Sequence, residues 1–95
     1  APITPFNDFD SAIEEANRLD YGLASYAYTS SAETAEKLGS RIESGMVSIN
    51  HHGIALIETP FGGVKDSGYG REHGGYGMRE FVNIKTIMVA ENTAD

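Results

Sequence analysis

The chain has 95 residues, 40% of them hydrophobic, which makes it one small domain or a piece of a larger one and too apolar for a disordered tail. Its net charge of −7, with eight acids against three bases in residues 1–44 and six against four in 45–95, argues against nucleic acid or an anionic membrane as partner. It has no cysteine, hence no disulfide, no thiolate metal site and no thiol nucleophile. No apolar run approaches the roughly 20 residues of a membrane span, and Ala1-Pro2-Ile3-Thr4 lacks the basic and apolar regions of a signal peptide, so the expected compartment is the cytoplasm.

The chain opens on a short apolar run, Ile3 to Phe6, that reads as a strand. Ala1 is not a methionine and leads at once into this run, as though something preceded it. Asp8, Asp10 and Ser11 then offer helix caps, and Ser11 with Glu14 forms a capping box. Phe9, Ile13, Ala16 and Leu19 recur at helical spacing. This helix is expected to stop near Asp20-Tyr21-Gly22, with Gly22 in the left-handed conformation. Leu23 to Thr29, rich in aromatic and small apolar residues, reads as a strand.

Ser30 and Glu33 form a second capping box, and Ala32, Ala35, Leu38 and Ile42 line one face of the helix that follows. Gly39 inside that helix costs about 1 kcal/mol relative to Ala, which points either to close packing or to nothing at all. Ser44-Gly45 ends the helix and Met46 to Asn50 is the next strand. Strand, helix, strand, helix, strand is the pattern of a parallel sheet with crossover helices, hence an α/β fold. Residues 51–70 carry few periodic signals, and a loop this long is uncommon unless functional. A short helix is expected within Arg71 to Phe81, weakened by Gly74, Gly75 and Gly77. Ile84 to Ala90 reads as a last strand and Glu91 to Asp95 as a frayed tail.

The long loop contains Pro60-Phe61-Gly62-Gly63-Val64-Lys65-Asp66-Ser67-Gly68-Tyr69-Gly70-Arg71-Glu72. Glycines this dense mean an unusual backbone, or one that something approaches closely. Gly68, Gly70 and Gly74 invite a dinucleotide reading, but the spacing is off by one residue and a loop precedes them rather than a strand. The favoured reading is a structural turn. His51-His52 suggests a metal, yet neighbours on a strand point to opposite faces and only the distant His73 could add a ligand. Lys65 and Asp66 read as a loop ion pair or a solvated pair. Asn50 reads as a hydrogen-bond partner of a loop backbone.

The motif resembles the PFGG-x-K-x-SG-x-GRE signature of the NAD(P)-dependent aldehyde dehydrogenases. The likeness extends to Phe9-Asp10 with Ala12-Ile13, Ala16-Asn17 and Tyr21-Gly22-Leu23-Ala24, and to Gly45-Met46-Val47 with Asn50. It implies the C-terminal fifth of such an enzyme: residues 1–83 complete the catalytic domain's sheet, and 84–95 form an oligomerisation strand and tail that help to join subunits in a homo-oligomer. It implies oxidation of an aldehyde to a carboxylic acid with NAD or NADP, through a cysteine thioester. The nucleophile, general base, oxyanion donor and dinucleotide domain all belong to preceding regions in that family. This chain alone is therefore expected to bind no cofactor and to be inactive. By resemblance, Phe61 walls the aldehyde pocket and Ile54, Ala55 and Ile57 belong to the loop lining its tunnel. Asn50-His51-His52-Gly53 is most similar to members acting on semialdehydes such as succinate semialdehyde. The alternative, from a different class, is a standalone α/β binding or assembly module without catalysis.

Overall fold

The computed structural model describes residues 1–92. The elements run α1 (Phe9–Ala16), β1 (Tyr21–Gly22), β2 (Ala24–Ala27), α2 (Ala32–Arg41), β3 (Met46–Ile49), β4 (Val64–Lys65) and α3 (Gly74–Arg79). The centre is a β2-α2-β3 unit with parallel strands in register Ala24↔Met46, Ser25↔Val47, Tyr26↔Ser48 and Ala27↔Ile49. Gly45 N–H donates to Gly22 O before this ladder, and Asn50 N–H to Ala27 O after it. β1 pairs with β4 in the antiparallel sense, Tyr21↔Lys65 and Gly22↔Val64. Gly22 and Leu23 thus lie where the chain passes from one small sheet to the other.

Both long helices begin close to where their sequences dictate, but neither capping-box serine, Ser11 or Ser30, is the N-cap. Asp8, one of the cap candidates, starts α1: its carboxylate accepts from Ser11 N–H at 2.8 Å and Ser11 Oγ at 2.9 Å, so Ser11 serves the cap from within the first turn. Ser31, not Ser30, caps α2 by accepting from Thr34 N–H at 3.2 Å. The apolar faces of the two helices meet over β2, where Phe9, Ile13, Leu38, Ile42 and Ala27 line a common cavity. Arg41 crosses between the helices to Asp10 at 2.6 Å, with its guanidinium over the Phe9 ring.

Five expectations are corrected. Ile3–Phe6 is not a strand; Ile3 is 94% and Phe6 68% exposed, because no described strand lies alongside to pair with them. α1 ends at Ala16 rather than near Asp20, leaving Leu19 outside the helix and exposed. Gly22 is not left-handed; it is strand, and a Cβ there would sit 2.2 Å from Glu43 O, so a close approach explains the glycine. The parallel order reduces to the β2–β3 pair, with the unforeseen β4 joining β1 antiparallel. Residues 84–90 have no strand partner, and Ile84, Ile87, Met88 and Val89 are exposed. The tail reading for 93–95 lies outside the described residues.

Gly39 meets nothing within 4 Å, so the open alternative for that residue holds. The expected short helix is present, shortened to Gly74–Arg79. The described chain is far from compact. Its radius of gyration is 19.9 Å, against about 12 Å for a compact domain of this length. Ile13 and Met46 are the buried hydrophobic side chains among the described residues. No described helix is long and apolar enough to cross a membrane.

Candidate functional site

The start of the glycine-rich loop is held by backbone contact, and Gly62 and Gly63 are there because nothing larger fits, whereas Gly68 and Gly70 face open space. A Cβ on Gly45 would lie 2.0 Å from Gly62 O, one on Gly62 2.2 Å from Gly70 O, and one on Gly63 3.0 Å from Gly22 O. The loop therefore rests directly on the start of β3 and on β1. Phe61 and Glu72 close its ends through a pair of backbone hydrogen bonds, each 2.8 Å. Arg71 ties the interior: its Nη1 donates to Gly63 O at 2.7 Å, Tyr69 O at 2.9 Å and Gly70 O at 3.0 Å. Ser67 Oγ accepts from Gly22 N–H at 3.0 Å. Arg71 and Glu72 are thus neither helix caps nor partners of each other, since α3 starts later, at Gly74.

Lys65 does not pair with its neighbour Asp66. Its Nζ reaches Glu43 Oε2 at 2.5 Å and donates to Asn17 O at 3.0 Å and Leu19 O at 3.2 Å. Asn17, the residue that ends α1, donates from Nδ2 to Arg41 O and accepts Glu43 N–H on Oδ1, both at 2.8 Å. Sequence reasoning named Asn17 only within the family likeness and gave it no contact, and it did not single out Glu43. Asn17 carries a signal, an amide side chain at a helix end where carbonyls lack partners; Glu43 carries none.

At the carboxyl ends of β2 and β3, Asn50 binds the Thr29 backbone twice. Its Oδ1 accepts Thr29 N–H at 2.8 Å and its Nδ2 donates to Thr29 O at 2.9 Å. It does so with φ 65°, a conformation that asparagine tolerates better than most residues. His51 folds back so that Nδ1 accepts Gly53 N–H at 3.0 Å, while His52 shares a hydrogen bond with the Tyr28 hydroxyl, 2.9 Å from Nε2. The two histidines face different partners. Among the described residues no group of three His, Asp or Glu side chains converges to hold a metal.

The structure does not bring the four pocket candidates into one cavity. Ile54 is half-buried and lines a groove along β3 with Met46, Ser48 and His51. Phe61 is half-buried and lines a separate depression with Leu23, Gly63, Arg71 and Phe81, its ring 6.1 Å from that of His73. Ala55 and Ile57 are exposed.

The loop also fails as a dinucleotide cradle. Such a cradle offers free backbone N–H groups at a helix start. Here the N–H groups of Asp66, Ser67 and Gly68 donate to Asp20, Val64 and Lys65 carbonyls. These three N–H groups are therefore not free to hold a phosphate.

Comparison with known proteins identifies the segment. The sequence model of the "Aldehyde dehydrogenase family" matches residues 1–87. Succinate-semialdehyde dehydrogenase (NADP+) 1 of Mycobacterium ulcerans is 49% identical over 82 residues, 86% of this chain and 18% of that protein. The 4-(hydroxymethyl)benzenesulfonate dehydrogenase of Comamonas testosteroni is 47% identical over 81 residues, 85% of this chain and 17% of that protein. The NAD+ complex of an aldehyde dehydrogenase from Bacillus cereus superposes with a TM-score of 0.87 at 35% identity, over 90% of this chain and 18% of that one. The chain thus spans under a fifth of the length of these relatives.

Proposed function

The chain belongs to the aldehyde dehydrogenase family, and from that premise we propose that it is the C-terminal segment of an enzyme oxidising an aldehyde to a carboxylic acid with NAD+ or NADP+. The observation that carries the proposal is the family match over residues 1–87 by a chain under a fifth as long as its relatives. The thin core and the extended shape support it, since apolar side chains from Ile3 to Val89 stand in solvent. In this reading residues 1–83 complete a catalytic domain and the residues from 84 onward join subunits of a homo-oligomer. The protein is cytoplasmic. The cysteine, the base and the cofactor site belong to the rest of the enzyme.

Within that enzyme, Phe61 walls the aldehyde pocket, and Ile54, Ala55 and Ile57 line its approach. The chain's own contribution is shape. It supplies apolar surface that excludes water, on a loop held rigid by the Gly45–Gly62 contact and by Arg71. We place the substrate among aldehydes with an anionic far end, a semialdehyde first. The names of the Mycobacterium and Comamonas relatives, a succinate derivative and a sulfonate, support that choice, as does the Asn50-His51-His52-Gly53 sequence.

The test is the intact mass of the source protein, followed by its reduction of NAD+ and NADP+ with a panel of aldehydes. A mass several times that of this chain and turnover of semialdehydes are expected, with no turnover by the chain alone. A source mass equal to this chain would remove the enzyme reading and leave a solitary binding or assembly module.

A further inference from the structure

We infer that Lys65 is a positioning residue, an ammonium locked to converging acceptors that fixes the glycine-rich loop and, through it, Phe61. The inference rests on the proposed place of Phe61 in the aldehyde pocket.

An ammonium has three protons to donate and no acceptor. Lys65 Nζ has Glu43 Oε2 at 2.5 Å, Asn17 O at 3.0 Å and Leu19 O at 3.2 Å, so each proton has an acceptor. The side chain is 24% exposed, which shields these contacts from salt more than a surface pair would be. Asn17 O belongs to the residue that ends α1, where unpaired carbonyls carry the negative end of the helix dipole and favour a cation. The acceptors are themselves held, because the Asn17 side chain grips Glu43 N–H and Arg41 O.

The backbone of Lys65 adds a second observation. Its φ is 55°, a region that L-residues seldom occupy unless their surroundings over-determine it. Lys65 pairs with Tyr21 across the short β1–β4 ladder, and its carbonyl accepts Gly68 N–H. Between Lys65 and Phe61 there is no slack. Gly62 and Gly63 are buried, and a Cβ on either would meet Gly70 O at 2.2 Å or Ser67 Cβ at 2.8 Å. A displacement at Lys65 must therefore pass along the loop to Phe61. Arginine is not equivalent, since no guanidinium nitrogen carries more than two protons and an ammonium carries three.

The experiment uses the full-length source protein with Lys65→Met, and with Glu43→Gln as a milder variant that keeps an acceptor. Two readouts are taken, hydrogen exchange in peptides covering 62–70 and the steady-state constants for the aldehyde. Lys65→Met is expected to speed exchange in the loop and to raise KM about tenfold with kcat within about twofold, the size of one hydrogen bond to a charged group. Glu43→Gln is expected to move both readouts less, in the same direction, and it carries the test if Lys65→Met does not fold. Unchanged exchange in the variants overturns the inference. Faster exchange with wild-type KM overturns the link to Phe61. If the wild-type protein oxidises no aldehyde, the proposed function fails, and the exchange arm alone then decides whether Lys65 holds the loop.

Discussion

Replacing Gly45 by alanine tests whether the glycine-rich loop is seated by direct backbone contact. Gly45 has no left-handed φ, so space is the only obstacle. Its Cβ would lie 2.0 Å from Gly62 O, 2.6 Å from Gly63 Cα and 2.7 Å from Gly62 C. All three are backbone atoms, and no side-chain rotation can relieve the clash. Reaching an ordinary contact of 3.4 Å from 2.0 Å needs a shift of 1.4 Å. β3 cannot yield that easily, because Gly45 N–H and Met46 N–H donate to Gly22 O and Leu23 O at 3.0 and 3.1 Å. Overpacking of this kind costs about 1–3 kcal/mol, and one weakened ladder bond adds about 1 kcal/mol. Gly45→Ala should therefore destabilise by about 3 kcal/mol. The assay is denaturant unfolding of the full-length protein, with Gly39→Ala as the internal control. Gly39 lies in α2 with nothing within 4 Å, so alanine there should gain roughly 0.5–1 kcal/mol of helix propensity. A Gly45→Ala protein within about 0.5 kcal/mol of wild type, the spread of ordinary surface changes, would refute the seam.

In the full-length protein, Phe61→Ala should raise KM for the aldehyde, and identical constants for several aldehydes would remove Phe61 from the pocket wall. Asn50→Ala loses both bonds to Thr29 and puts alanine at φ 65°; a loss of about 2 kcal/mol in thermal unfolding is expected, with Asn50→Gly recovering part of it. The Ser11 backbone and side-chain hydrogen bonds hold the Asp8 carboxyl below its ordinary 3.8. A depressed folded-state pKa gives stability that is present above the unfolded value and lost as pH falls through the folded one. The α1 signal in circular dichroism should thus decline below about pH 4. Asp8→Asn should remove this step and leave the one of like sign from Glu33, which its hydrogen bond with Lys37 holds low; an unchanged profile would show that the cap contributes nothing. The isolated chain should self-associate in a sedimentation series through its uncovered apolar residues, Ile84, Ile87 and Val89 among them, and a monodisperse monomer at every concentration would count against it.

What was legible in the sequence was local. α1 and α2 carry caps and a 3.6-residue apolar period that one chain can satisfy by itself, and both were found within a few residues of their ends. β2 and β3 were found because apolar residues cluster in them between turn signals. β4 was missed because a two-residue strand, Val64–Lys65, has no period to detect and exists only through its partner β1. The strands expected at Ile3–Phe6 and Ile84–Ala90 have the composition of strands but no neighbour in the described chain. Composition reports that a segment would pair, and not with what. Asn50 was read correctly as a backbone partner, since asparagine after a strand has few other uses. The reach of Lys65 to Asn17, a separation of 48 positions, could not be read from spacing.

The glycines of the motif answer a question that their spacing leaves open. Dense glycine admits two physical causes, a ligand approaching the backbone or another stretch of backbone doing so. The first predicts N–H groups left free and aimed outward. The second predicts that an added Cβ would strike main-chain atoms. At Gly22, Gly45 and Gly62 the nearest atoms are the carbonyl oxygens of Glu43, Gly62 and Gly70, and the N–H groups of Asp66, Ser67 and Gly68 are already bonded. The second cause holds at each of these positions. Two motifs far apart in sequence, Gly45-Met46-Val47 and Phe61-Gly62-Gly63, are therefore two sides of one contact. The atoms opposing Gly45 are main-chain atoms of residues that are already glycine, so no side-chain change opposite should relieve a substitution there.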